Sequence, residues 1–485
     1  PLSLYRSSLA LLTDLYQLTM AFGYWKSGML DREASFYMSY RYNPFEGGFS
    51  IACGLSHVIE LVRGFRFEGE DIAYLAELRG NDDAPLFEKR FLDYLSDMRL
   101  TCDIDAMPEG TVAFPHEPLI RITGPIAQCQ ILESAVLNMI NFQTLIATKA
   151  ARVCIAAQGD AVLEFGLRRA QGVDGALAAS RASYIGGCAG TSNVLAGRLF
   201  GIPVRGTHAH SWIMCFDSEP EAFQAYAEAM PNNCVFLVDT YNTLEGVRRA
   251  IEAGHALRER GHEMLGIRLD SGDLAYLSIE ARKLLDAAGF EKAIIVASND
   301  LDERIIASLK SQGAKICVWG VGTKLATAYD QPAMGGVYKL AAVRRPGSEW
   351  EYKVKLSEQA IKTSTPGIQQ VRRFSTEHEY VADAIYDDLR PMSDGCTIID
   401  PMDITRRKVI SAGTSHVDLL VPITRAGKIV YEQPSLDQTR SYVQDQLGRF
   451  HPGVKRFVNP HQYPVGLEQN LYELKNELVL KARGL

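Results

Sequence analysis

With 485 residues, 47% of them apolar and 22% charged, the chain has the length and balance of a globular protein with two or three domains and a large core. A formal net charge of −7 argues against non-specific nucleic-acid binding, so any anionic ligand must be held by local cations and not by the overall field. The nine cysteines are dispersed without a C-x-x-C pair and read as reduced thiols of a cytosolic protein, and no stretch reaches the roughly eighteen apolar residues of a membrane span.

The apolar patch Leu9–Leu12 is closed by Asp14 and is too short for a signal peptide. Thr13-Asp14 then starts a helix with apolar positions at 15, 18 and 22, and on this periodicity Tyr16 is one more residue of a packed face. Ala34–Tyr42 alternates like a strand and ends at Asn43-Pro44. His57–Gly64 is a partly apolar run, followed by acidic, helix-compatible segments through Asp97. Thr111–Ile122 returns to strand character, interrupted by Pro115 and Pro118, and Gln130–Ala157 carries long helical spacing. This first third, 1–145, reads as a mixed α/β domain.

From Ala161 a repeat takes over. Short apolar runs end in polar or glycine clusters, and a helix-like segment follows each: Ala161–Phe165, a weak run at Gly186–Thr191, a better one at Pro203–Gly206, then Val235–Val238, Ile267–Leu269, Ile294–Ala297 and Ile316–Trp319. His210, Asp239, Asp270 and Asp300 are 29, 31 and 30 residues apart, about one strand–helix unit, so the clusters should recur at one end of successive parallel strands. That end is where sites of parallel α/β proteins are built. Six or seven units fit, with an eighth strand near Val337–Val343. Because clusters end nearly every strand, the reading favours an α/β barrel over 146–345 against an open doubly wound sheet, which gathers them at one switch point. The region 346–485 mixes short strands with a final helix, Leu467–Arg483, and should pack on the first domain.

Three clusters carry chemistry. Gly320-Val321-Gly322-Thr323-Lys324 follows a strand and opens a helix, a turn able to cradle phosphate, though it is neither a Walker A motif nor a complete G-x-G-x-x-G. Asp270 and Asp273 flank Gly272: one can accept from sugar hydroxyls while the other caps the next helix. With Asp239, Asn299 and Asp300 at the same rim, crowded carboxylates need a cation, either Mg²⁺ with a polyphosphate or a cationic transition state. Arg168, Arg169, Arg268 and Lys324 supply positive charge for phosphate. His208 and His210 allow two readings. On a strand they would share a face as an H-x-H metal pair, which makes a metal-dependent barrel hydrolase the rival, although the later strand ends offer no further histidine. Alternatively His208 is a satisfied core residue and His210 the functional one.

Thr13–Met20, Glu164–Gly172, Gly206–Ser211, and the Asp270 and Gly320–Lys324 segments together resemble the nicotinate phosphoribosyltransferases, in order and spacing over essentially the whole chain. The resemblance implies an irregular barrel of seven to eight strands, plus a second domain built from both chain ends, in a homodimer with sites at the interface. It implies an ATP-dependent ligase of pyridine nucleotide biosynthesis in the cytoplasm, with nicotinate, phosphoribosyl pyrophosphate and ATP as substrates and Mg²⁺ as cofactor. Within it His210 is the histidine phosphorylated by ATP, and Asp239 and Asp270 hold Mg²⁺ and ribose. Phe165 stacks on the pyridine ring, Tyr16 reaches in from the partner subunit, and Arg168 lies near the base's carboxylate. Gly322-Thr323, with Gly320, forms the 5′-phosphate cradle. Ser192 stands where the sister nicotinamide enzymes have aspartate, and a serine can donate to a carboxylate that an aspartate would repel. A phosphoribosyltransferase for a related pyridine base is the other alternative.

Overall fold

The computed structural model describes residues 8–390 and 392–485. They form two compact units: the described residues up to Leu145 together with Ala333–Leu485, and Ile146–Pro332.

The first unit is built on an antiparallel sheet and a mixed one. One has seven strands, with Glu33–Ser39 between Val337–Arg344 and Ile120–Pro125, both antiparallel to it. The other has six, and its one parallel pairing is between Tyr380–Asp387 and Val465–Glu468. Val337–Arg344, the eighth strand of the repeat by sequence, belongs here and pairs Ala34 with Val343. An alternating strand carries no mark of which sheet it joins, and only the antiparallel partner decides it.

The second unit is a parallel sheet flanked by helices. Its strands are β1 (Ala161–Glu164), β2 (Gly190–Thr191), β3 (Val235–Leu237), β4 (Gly266–Leu269), β5 (Ile294–Ala297) and β6 (Val318–Val321), in the order β2-β1-β6-β5-β4-β3. Every pairing is parallel. Phe236, Leu237, Ile267, Leu269, Ile295 and Trp319 are buried, as expected of strands covered on both faces. The expected strand at Pro203–Gly206 is reduced to one bridge, Val204 to Thr191, because Pro203 has no N–H to give a ladder. The weaker run before it does become β2.

The helices of this unit are α1 (Gly172–Ile185), α2 (Val194–Phe200), α3 (His210–Met214), α4 (Glu219–Ala229), α5 (Thr243–Glu259), α6 (Leu274–Ala287), α7 (Glu303–Ser311) and α8 (Thr323–Ala326). Ser218, Asn242, Asp273 and Asp302 cap α4 to α7, each side chain accepting from the backbone N–H three residues on. Each strand therefore runs into a short polar turn that starts a helix. The turns share one edge of the sheet because the strands are parallel.

Among the described residues, no helix is long and apolar enough to cross a membrane.

Candidate active site

The turns after β3 and β4 meet through Asp239. Its Oδ2 accepts from the Asp270 backbone N–H at 2.7 Å and from the Ser271 hydroxyl at 2.8 Å, while its Oδ1 is buried without a hydrogen-bond partner. Asp270 turns its other face to His210, whose Nε2 lies 3.6 Å from Asp270 Oδ2. His210 Nδ1 is 3.1 Å from the Thr240 hydroxyl. The imidazole opening α3 is thus held between the residue after Asp239 and the carboxylate after β4, with about a third of its side chain (37%) still exposed. Asp273, by contrast, is a helix cap, accepting from Tyr276 N–H at 3.0 Å.

Arg268 ties this corner together. Its Nε donates to Ser298 Oγ at 3.0 Å, Nη1 to Thr207 Oγ1 at 2.6 Å and to the His208 carbonyl at 3.2 Å, and Nη2 reaches Asp270 Oδ1 at 3.5 Å. Ser298 donates in turn to Asp270 Oδ1. Four of the five guanidinium N–H groups are thereby engaged by the protein, so Arg268 acts as a strut for the rim and not as a free phosphate cation. Lys324 departs from expectation in the same way, since its Nζ is 2.6 Å from the buried Asp302 carboxylate. Arg168 and Arg169, in the 3₁₀ turn Leu167–Arg169, are exposed.

Across the sheet, β1 and β6 build a second part of the rim. Phe165 follows β1 and is hydrogen-bonded through its N–H to the Val321 carbonyl at 2.8 Å. Its ring lies over Gly320: a Cβ added there would stand 2.7 Å from Phe165 Cδ2 and Cε2. Gly320 is buried inside β6, so it seats the aromatic ring and leaves the phosphate-type turn to Gly322 and Thr323, at the start of α8. Glu164 is the buried hub beneath them. It accepts from the Gly166 N–H, from Ser180 Oγ at 2.9 Å and from Thr191 Oγ1 at 2.6 Å. Its own carbonyl takes the Ser192 N–H at 2.9 Å. One carboxylate thus fixes both the Phe165-Gly166 turn and the turn carrying half-buried Ser192. Asn299 and Asp300, both exposed after β5, have φ of 102° and 34°, a left-handed turn that Asn and Asp tolerate better than most residues.

Three family models match the chain: the nicotinate phosphoribosyltransferase N-terminal domain over residues 11–141, the family model over 161–375 and its C-terminal domain over 368–475. The chain is 41% identical over 484 residues to the nicotinate phosphoribosyltransferase of Bacillus subtilis, covering 98% of this chain and 96% of that one. The crystal structure of human nicotinic acid phosphoribosyltransferase superimposes with a TM-score of 0.84 at 32% identity, over 96% of this chain and 99% of that chain. This chain belongs to the nicotinate phosphoribosyltransferase family. A nicotinate-nucleotide pyrophosphorylase from Pyrococcus furiosus, at 23% identity and a TM-score of 0.68 over 90% of this chain and 94% of that one, shares the fold.

For a nicotinate phosphoribosyltransferase family member, the metal-hydrolase arrangement of His208 and His210 has no support in the geometry. The two residues do not sit on one strand: His208 is in an irregular segment and His210 begins α3. His208 is buried against Tyr226, with its Nε2 3.2 Å from the Leu237 backbone N–H and Nδ1 facing the Ala209 carbonyl. Its one lone pair is therefore occupied by a backbone donor and is unavailable to a metal. Burial lowers its pKa to about 4, so the ring stays neutral. Tyr16, in the other unit, is 48% exposed on the helix Leu15–Lys26, and not packed as its periodicity suggests. Partial burial and the nearby Glu133 carboxylate push its phenol up to about 12.

The residues that sequence reasoning left unassigned are those that position the others: Thr240, Ser298, Thr207 and Glu164. A serine or threonine at a strand end is common to every turn, so no pattern singles these out. Glu164 alone gave a signal, a carboxylate inside an apolar strand.

Proposed function

We propose that this chain joins nicotinate to phosphoribosyl pyrophosphate, releasing pyrophosphate and forming nicotinate mononucleotide, with coupled ATP hydrolysis through phosphorylation of His210. The observation that carries the reading is the His210–Asp270–Asp239 cluster: a partly exposed imidazole, hydrogen-bonded at Nδ1 to Thr240 and with Nε2 facing the Asp270 carboxylate, beside two carboxylates at one strand edge. In the transfer, the pyridine nitrogen forms a bond to ribose C1 as the bond from C1 to the pyrophosphate oxygen breaks. Positive charge that builds on the ribose ring is stabilised by Asp270 and Asp239. The unpartnered Asp239 Oδ1 fits a cation ligand, so Asp239 and Asp270 are the residues that would hold Mg²⁺, which supplies charge neutralisation for the leaving pyrophosphate.

Phe165, seated on Gly320, offers a face for the pyridine ring, and Ser192 and Arg168 are donors for its carboxylate. Gly322 and Thr323 take the 5′-phosphate, Asn299 and Asp300 line the same edge, and exposed Tyr16 serves the site of a second subunit in a cytoplasmic homodimer. On this reading the six parallel strands, extended by the Val204 bridge, are an irregular barrel.

The test is product analysis with nicotinate, phosphoribosyl pyrophosphate and Mg²⁺, with and without ATP, on the wild type and His210→Ala. The variant should lose ATP hydrolysis coupled to product formation and retain slow ATP-independent synthesis. Unchanged ADP release per mononucleotide formed in the variant would overturn the phosphohistidine assignment. Absence of nicotinate mononucleotide from the wild type would overturn the reaction.

A further inference from the structure

We propose that a cleft in the first unit, lined by Arg406, Arg456, Asn459, Pro460, His461 and Gln462, binds a small phosphorylated anion. None of these residues belongs to the unit that carries His210. In a chain of net charge −7, both charged residues lining the cleft are arginines, with an imidazole and two amides beside them. Such a local reversal of sign is what anion recognition requires when the overall field opposes it.

The backbone of the cleft is held in place. Pro452–Lys455 forms a 3₁₀ turn, and the His461 N–H donates back to the Gly453 carbonyl at 2.9 Å. Gly48 packs so closely beneath that an added Cβ would lie 2.2 Å from the Val454 carbonyl oxygen and 3.0 Å from Pro460 Cβ. Arg406 Nη1 donates to Gln462 Oε1 at 2.6 Å, which leaves the Gln462 amide N–H groups available. Arg406 also faces Asp400 at 3.7 Å, so its charge is shared. Arg456 makes no ion pair among the described residues, and its guanidinium is the uncompensated charge of the cleft.

The donors decide the ligand class. Two guanidinium groups, the His461 ring and the side-chain amides of Gln462 and Asn459 exceed what a single carboxylate accepts, whereas a phosphate offers three or more oxygens in a tetrahedral arrangement. The cleft is an open groove of about 270 Å³ whose lining side chains, apart from half-buried Pro460, are exposed. That suits inorganic phosphate or a compact phosphomonoester better than a whole nucleotide coenzyme.

The experiment is calorimetric titration of the full-length protein with inorganic phosphate and, separately, with ribose 5-phosphate, comparing wild type with Arg456→Gln and Arg406→Gln. The catalytic unit can itself take phosphate, so the readout is the class of binding that the variants lose while their KM values for substrates stay unchanged. Arg456→Gln should weaken that class about tenfold or more, as expected for loss of a charge-assisted contact, and Arg406→Gln by less. Loss with inorganic phosphate assigns the free ion, and loss with ribose 5-phosphate only assigns a monoester. Titrations identical to wild type for both ligands, or a parallel loss of substrate binding, would overturn the proposal.

Discussion

Two regions of this molecule set arginine, carboxylate and aromatic groups side by side, and they do so to opposite ends. In the first unit, Arg373 is fully buried. Its Nε donates to both oxygens of Asp383 at 3.0 and 3.1 Å, Nη1 reaches Gln446 at 3.3 Å and Nη2 the Val112 carbonyl at 2.7 Å. Phe114, Tyr380 and Phe450 surround the guanidinium, and Tyr463 donates to Asp383 at 3.0 Å. Burial and the neighbouring Asp383 push the Glu117 carboxyl well up. Each network leaves one buried carboxylate oxygen unpartnered, Glu117 Oε1 in the first and Asp239 Oδ1 at the rim of the second, but at the rim His210 stays over a third exposed. A network buried on every side holds a fold together. One left open on a single side is available for chemistry.

Four substitutions test this contrast, in order of expected size. Arg373→Met leaves Asp383 without its cation in the core and should cost roughly 3–5 kcal/mol in denaturant unfolding. Under native conditions the remaining folded fraction should keep its KM for nicotinate. A change of KM at full foldedness would show that the buried network is not purely structural.

His208 lies between the two cases, since it is buried and satisfied but next to the rim. Its folded pKa, about 4, is below the unfolded value of about 6.5, so the unfolded chain takes up the proton first as pH falls. Its contribution is therefore fully present above about pH 6.5 and is lost as pH drops toward 4, worth up to roughly 3 kcal/mol. His208→Asn should flatten that part of the stability–pH curve. An equally steep curve in the variant would mean that the buried ring is not the cause.

Gly320→Ala drives a methyl group into the Phe165 ring and should cost about 1–3 kcal/mol by overpacking, expressed mainly as a raised KM for nicotinate. A variant with wild-type KM and reduced stability would place Gly320 with the structural network. Ser192→Asp should move the preference from nicotinate toward nicotinamide by about tenfold in kcat/KM, because the new carboxylate repels the acid and accepts from the amide. A competition assay with an unaltered ratio would remove Ser192 from the specificity argument.

Much of the second unit is legible in the sequence. A strand of four residues followed by a capped helix leaves a strong mark, and the caps Asn242, Asp273 and Asp302 stand close to the helix-like segments that follow the apolar runs. The 29- to 31-residue spacing from His210 through Asp239 and Asp270 to Asp300 was legible for the same reason: a parallel crossover needs about that much chain. What the spacing could not reveal was the partner of each side chain. Lys324 and Arg268 looked alike as cations for phosphate, yet both are engaged by protein groups distant in sequence, Asp302 for one and Thr207 with Ser298 for the other. His208 and His210, two residues apart, resemble a strand pair by sequence, but α3 begins at His210.

Sequence alone, then, determined which segments are strands and helices over most of the parallel unit, and which residue types crowd its polar edge, because these follow from local periodicity, capping and chain length. Tertiary structure decided that Val337–Arg344 leaves the repeat to pair with Glu33–Ser39, that Gly320 serves as a seat for Phe165, and that Asp239 keeps one oxygen unpartnered. The reason is physical: strand partnership and hydrogen-bond saturation depend on groups brought together from distant parts of the chain, and no local pattern encodes them.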